Sequence, residues 1–212
     1  MSANRATPWV RTGSGALHTA LGLALIAFAA FHAYQNYPAI DHEEAWVDRA
    51  LTTGLSFGLG LAVLIAIGLH ALLGLASWIR HRIAVSRGAE PRDWSINFQL
   101  LTGALVFGFV AFHVWQLWPS GAGTHSSVRE PYARLWTQLG HPMPLVIYVA
   151  GVSALAFHLG NGLARVVARA SRVLPSFVGR ALGSVFGLVL LFVFVQLVAR
   201  FALGEALIPA LS

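Results

Sequence analysis

An all-α membrane protein with five transmembrane helices is the fold class this sequence predicts, and three observations predict it. Hydrophobic residues make up 57% of the 212 positions, charged residues only 10%, and the mean hydropathy is +0.68, which is not the composition of a soluble domain. Five stretches, roughly 17–37, 55–79, 98–118, 145–167 and 181–203, are long enough to cross a hydrocarbon core of about 30 Å as helices. Each is continuously apolar and lacks the period-two alternation of a membrane strand, so helices, which satisfy their backbone within the segment, are the expected elements. The whole chain, 1–212, reads as a single domain.

The first stretch is longer than the 7–15 apolar residues of a signal-peptide core, so it reads as a span rather than a cleaved leader. Orientation follows from arginine, the only basic residue besides histidine. Arg5, Arg11, the second loop (Arg80, Arg82, Arg87, Arg92) and the fourth loop (Arg165, Arg169, Arg172, Arg180) hold ten of the fourteen, which puts the N-terminus on the cytoplasmic side. The first loop carries Asp41, Glu43, Glu44 and Asp48, compatible with the outer face. A sequence pI near 11.0 therefore reflects topology, and nucleic acid is not an expected partner; membrane lipid is. The absence of cysteine excludes disulfides, thiolate zinc sites and cysteine-ligated iron–sulfur clusters within the chain.

The first and third stretches close on matching words, "AFHAYQNYP" at 30–38 and "AFHVWQLWP" at 111–119. At an offset of 81, Gly22 matches Gly103, Phe28 matches Phe109, His32 matches His113 and Gln35 matches Gln116. At an offset of 88, the second and fourth stretches match His70 with His158 and Gly74 with Gly162. The first four helices thus read as two copies of one hairpin, related as parallel repeats, with the fifth outside the duplication. Helical rise then sorts the histidines into two layers: His32 with His113 in the outer half, His70 with His158 in the inner half.

Ionisable side chains within spans mark function, and two imidazoles facing each other at one depth are what axial ligation of a haem iron from both sides needs. Met1 and Met143 face none of these histidines. Gly22 and Gly103 would give a flat macrocycle room at the inner level. A proton relay, a metal-ion transport site or structural polar packing uses the same residue type, although the span interiors hold no acidic partner for a transporter.

In "LHTALG" at the start of span one, "GLHALLGL" in span two, "LLTGALVFGFVAFHVWQLW" in span three and "IYVAGVSALAFHLGNGL" in span four, the chain resembles a known family. That family is the five-helix, di-haem cytochrome b subunits of bacterial succinate:quinone oxidoreductases. The resemblance covers almost the whole chain; the Gln and Pro that end span one look more like the chain's own span three than like the family's first helix.

The resemblance implies a cytoplasmic-membrane anchor binding two haem b groups, a high-potential one on His70 and His158 and a low-potential one on His32 and His113. It also implies a flavoprotein with FAD and an iron–sulfur subunit on the cytoplasmic face, and quinone as electron acceptor or donor. The chain has no flavin or succinate motif of its own. His18 is expected near an inner haem propionate, with Arg11, Arg165, Arg80 and Arg82 as further propionate candidates. Trp115, Gln116, Trp118 and Gln35 are candidates for a quinone site near the outer haem, and Glu43, Glu44 and Asp48 for its proton exchange. His42, His81, His125 and His141 are expected to be exposed loop residues. A di-haem subunit of another quinone-linked complex, of hydrogenase or nitrate reductase type, and a haem-free anchor or transporter are the alternative readings.

Overall fold

The computed structural model describes residues 13–53, 57–117, 129–170, 175–205 and 207. Among them there are seven α-helices and no strand: α1 (Gly13–Asn36), α2 (Glu43–Thr53), α3 (Phe57–Ser86), α4 (Trp94–Leu117), α5 (Arg129–Leu139), α6 (Pro142–Ala170) and α7 (Ser176–Leu203). Five of these, α1, α3, α4, α6 and α7, are long and apolar enough to cross a membrane, so this is a multi-pass membrane protein.

The helices outrun the predicted spans, because polar residues at the ends continue the helix into the interface. α3 runs to Ser86 rather than stopping near Ile79, and α6 runs to Ala170. Arg80, Arg82, Arg165 and Arg169, assigned above to loops, therefore sit on helices. Residues read above as parts of the first and third loops form α2 and α5, short helices too polar to register as spans. They cap one end of the bundle: Trp46 of α2 packs on Tyr132 of α5, Tyr132 packs on Phe201 of α7 at 4.9 Å, and Arg129 pairs with Glu43 at 3.0 Å.

α1, α3, α4 and α6 border a long cavity, and α7, packed mainly on α6, lines it with Phe194, Leu197, Val198 and Phe201. The α6–α7 contact is close because both faces are made of small residues. A methyl group on Gly160 would lie 2.6 Å from the Gly183 carbonyl oxygen, one on Gly187 2.8 Å from the Ala156 oxygen, and one on Gly179 2.9 Å from the Ala164 oxygen. Packing of this kind holds helices together in lipid, where apolar burial supplies no drive. Leu190, Phe194, Leu197 and Val198 then fill the core against α1 and α6. Large apolar side chains elsewhere, such as Leu72 and Leu105, point outward to the lipid.

Antiparallel crossings set the levels. Gly22 of α1 lies against His70 of α3, and His18 against Gly74; Gly103 of α4 lies against His158 of α6, and Gln99 against Gly162. These two contacts of α1 with α3 have counterparts between α4 and α6 at the offsets of 81 and 88.

Candidate functional site

The cavity between α1, α3, α4, α6 and α7 has a volume of about 1200 Å³ and is lined by His18, His32, His70, His81, His113 and His158, six of the nine histidines. This exceeds the ~300–1,000 Å³ usual for one small-molecule site. At one level the His32 and His113 rings stand 6.2 Å apart, centroid to centroid, with planes at 83°; at the other, His70 and His158 stand 6.3 Å apart at 87°. Ten residues of helix separate Gly22 from His32 and Gly103 from His113, so the two levels are about 15 Å apart.

Two imidazoles bonded to opposite sides of one first-row metal, at about 2.0–2.1 Å each, place their centroids about 6 Å apart. Both pairs have that separation. Among the described residues no three His, Asp or Glu side chains gather to hold a metal ion. Among the described residues each level therefore offers two protein donors, and a metal held there would take its remaining ligands from a bound group or water.

The rings are oriented by their neighbours. His113 Nδ1 and the hydroxyl of buried Tyr148 are 2.9 Å apart; with the proton on Nδ1 the ring donates to Tyr148 and leaves the Nε2 lone pair free. His158 Nδ1 lies 3.3 Å from Thr102 Oγ1, while Gln99 Nε2 donates to the His158 carbonyl at 3.1 Å and Asn161 Nδ2 donates to Gln99 Oε1 at 2.5 Å. His70 Nδ1 is buried without a hydrogen-bond partner among the described residues. Outer-shell partners of this kind are what fix tautomer and ring angle in a metal site. Glycine makes the His70–His158 level possible, since a methyl group on Gly22 or Gly103 would lie 3.1 Å or 2.9 Å from Cε1 of His70 or His158.

His18 stacks on His70, with centroids 4.2 Å apart at 29°. It lies one helical turn from Gly22, close beside the His70–His158 pair. Arg165 and Arg169 line the same end of the cavity, and Arg165 Nη2 donates to Ser95 O at 2.7 Å and to Ser95 Oγ at 3.1 Å. Asp93 starts α4 as its N-cap, accepting from the Ser95 backbone N–H at 2.8 Å and from its hydroxyl at 2.6 Å. Burial pulls the Asp93 carboxyl upward, but these two hydrogen bonds, with the charges of Arg165 and His81, outweigh it and hold the group below its ordinary range.

Other candidates lie away from the cavity. Arg80 and Arg82 do not line it; Arg80 bonds Ser77 and Arg82 lies over the Trp78 ring. Trp115 is 73% exposed, Gln35 is buried, and neither they nor Gln116 line the cavity. Glu43 and Glu44 form the first turn of α2 and face Arg129. Arg11, Trp118, His125 and Met1 lie outside the described residues, and Met143 is exposed. His42 and His141 are exposed, as expected. His81 corrects the expectation: it lies on α3, its side chain is 10% exposed, and its Nδ1 is 2.7 Å from Glu90 Oε2. The α3 helix carries it beyond the predicted span and turns it toward the chain that folds back into α4.

Sequence reasoning missed Tyr148, Thr102, Gln99 and Asn161. The repeat held one usable signal, because Gln99 is the counterpart of His18 at the offset of 81.

Over 152 residues, amounting to 69% of this chain and 74% of the other, the sequence is 26% identical to the succinate dehydrogenase cytochrome b558 subunit of Bacillus subtilis (strain 168). No family model matches the chain, and no solved structure does.

Proposed function

We propose that the chain is the di-haem b membrane anchor and electron-transfer subunit of a bacterial succinate dehydrogenase or fumarate reductase, carrying electrons between an iron–sulfur subunit and membrane quinone. The observation that carries this reading is the two imidazole pairs, 6.2 Å and 6.3 Å across, stacked in one cavity. Similarity to a succinate dehydrogenase cytochrome b subunit supports the complex over other quinone-linked ones.

The residues suit haem. Bound between such imidazoles, haem b supplies one-electron transfer at two levels of the membrane. His70 and His158 would hold one group and His32 and His113 the other, with Gly22 and Gly103 clearing space beside the first pair. Tyr148 and Thr102 orient rings, and the apolar side chains of Phe109, Val110 and Leu155 line the cavity around them. Arg165, Arg169 and His18 gather at one end, where guanidinium and imidazole groups suit the carboxylates on a macrocycle's edge. We place that end, with the turn between α3 and α4, on the cytoplasmic side, facing the flavoprotein and iron–sulfur partners, by the arginine bias of the sequence. The matched contacts of the two hairpins support their origin by duplication, within a single domain of the bacterial inner membrane. Quinone is assigned to the opposite end, near His32.

Pyridine haemochrome analysis of the purified chain tests the reading. Two b haems per polypeptide are expected; one would remove a histidine pair from the assignment, and none would leave a haem-free anchor or transporter.

A further inference from the structure

The end of α3 and the start of α4 border a second, smaller space that the haem reading does not use. α3 stops in a Schellman turn: Gly88 takes φ 70°, the Ala89 N–H donates to the Ala84 carbonyl at 2.9 Å, and the Gly88 N–H donates to that of Val85 at 3.0 Å. Asp93 caps α4 through Ser95. Both helix ends are thereby fixed. Between them Arg82 and Val85 of α3 and Arg92, Asp93, Trp94 and Asn97 line a groove of about 180 Å³. Trp78 Nε1 donates to Asn97 Oδ1 at 2.9 Å; Trp78 lines the large cavity and Asn97 the groove, so this bond lies in the wall between the two.

The groove is rich in donors and poor in acceptors. An indole nitrogen only donates, so Trp78 fixes the Asn97 amide by its oxygen and leaves both Nδ2 hydrogens for the groove. Arg82 and Arg92 are exposed and make no hydrogen bond or ion pair among the described residues; Arg82 lies over the Trp78 ring, 5.8 Å from its centre. His81 also reaches the groove, but Glu90, which lines the large cavity, takes its Nδ1. Among the described residues the one carboxylate lining the groove is that of Asp93, and its Oδ1 already accepts twice from Ser95. Two guanidinium charges and a fixed amide donor stand against that single committed carboxylate.

Depth says what meets them. Arg82 follows Ile79, the end of the apolar run, by three residues, about 4.5 Å along the helix, which is the level of phospholipid headgroups. Trp94, 71% exposed, stands beside the groove as interfacial indoles do. Deeper along α4, Phe98, Leu101 and Leu105 continue from Trp94 at helical spacing, all exposed, as an apolar track.

We propose that this groove binds the phosphodiester headgroup of an anionic glycerophospholipid, with Arg82 and Arg92 supplying the charge, Asn97 a fixed donor and the α4 track a surface for the acyl chains. A guanidinium matches phosphate oxygens bidentately. A zwitterionic head brings a cation that the two arginines repel, so the groove selects net negative charge. It is smaller than the ~300–1,000 Å³ of an ordinary small-molecule pocket, as suits a headgroup whose tails lie outside. The site stands apart from the haem and quinone reading and does not depend on it.

Native mass spectrometry of the purified full chain, titrated in detergent with phosphatidylglycerol, phosphatidylcholine or inorganic phosphate, tests this. Wild type should bind phosphatidylglycerol more than about tenfold more tightly than phosphatidylcholine, and Arg82→Gln/Arg92→Gln should lose that preference. The charge-matched control Arg80→Gln/Arg87→Gln, outside the groove, should stay within about twofold of wild type. Equal affinity of wild type for the two lipids, a preference retained by the first double variant, or equal loss in the control would overturn the proposal. Inorganic phosphate displacing phosphatidylglycerol at equal concentration would overturn the lipid assignment in favour of a free anion. Loss of the flavoprotein and iron–sulfur subunits from the first double variant, with phosphatidylglycerol affinity unchanged, would give the arginines to a protein interface instead. Should that variant fail to fold, photoactivatable phosphatidylglycerol on wild type decides: label is expected in peptides spanning 82–105, and label confined to other helices would overturn the site.

Discussion

Tyr148→Phe isolates one atom of the site. The ring of Tyr148 is 5% exposed and packs between Phe109 and Phe112, so phenylalanine keeps the packing and removes only the hydroxyl that meets His113 Nδ1. A ring that donates from Nδ1 is a more basic ligand, which favours the oxidised form of a metal bound at Nε2. If His113 holds a haem as proposed, losing the acceptor should therefore raise that haem's potential. The net worth of such a bond, about 0.5–1.5 kcal/mol, converts at about 59 mV per tenfold for one electron to a shift of about 20–60 mV. Redox titration of the difference spectrum in purified wild-type and variant complex measures it. The component lost in His113→Ala should be the one that moves, and upward. A downward shift, a shift of the other component, or displacement below about 10 mV would refute the reasoning that Tyr148 tunes this ligand.

Single replacements of His70 or His158 by alanine are expected to abolish one spectral component, and those of His32 or His113 the other; loss of one component by His32→Ala and His70→Ala together would break the pairing. Gly183→Leu should destabilise the bundle by about 1–3 kcal/mol or prevent its assembly, because the side chain would collide with the Gly160 carbonyl and with Ala164, whose Cβ would be 2.7 Å away. Thermal aggregation followed by size-exclusion chromatography reads this, and an unchanged midpoint would refute it. The depressed Asp93 carboxyl contributes stability that is present above its unfolded pKa of about 3.9 and is lost as pH falls through the lower folded value. Thermal midpoints at pH 7 and about pH 3.5 should differ less in Asp93→Asn than in wild type, and the variant should be the less stable at pH 7.

Membrane class, helix number and the matched histidines of the two hairpins were legible in the sequence. Continuous apolar runs near 20 residues have one stable form in lipid, and the 1.5 Å rise of a helix turns residue number into depth. Levels follow from counting, which is why Gly22 and Gly103 could be placed at the depth of His70 and His158 before any contact was known. What counting does not supply is rotation about each helix axis and the packing of one helix on another. A turn of 100° per residue decides whether Tyr148 meets His113 or lipid, and that angle is set by contacts between helices, above all the small-residue seam of Gly160, Gly183 and Gly187 that draws α7 onto α6. The capping helices α2 and α5 were hidden for a related reason: their apolar residues, Trp46, Tyr132 and Leu139, are spaced for one buried face, which hydropathy averaged over a span-length window does not resolve. His81 looked like a loop residue because an arginine-rich segment ends the apolar run, yet helical hydrogen bonding continues past the hydrocarbon boundary and delivers it to Glu90.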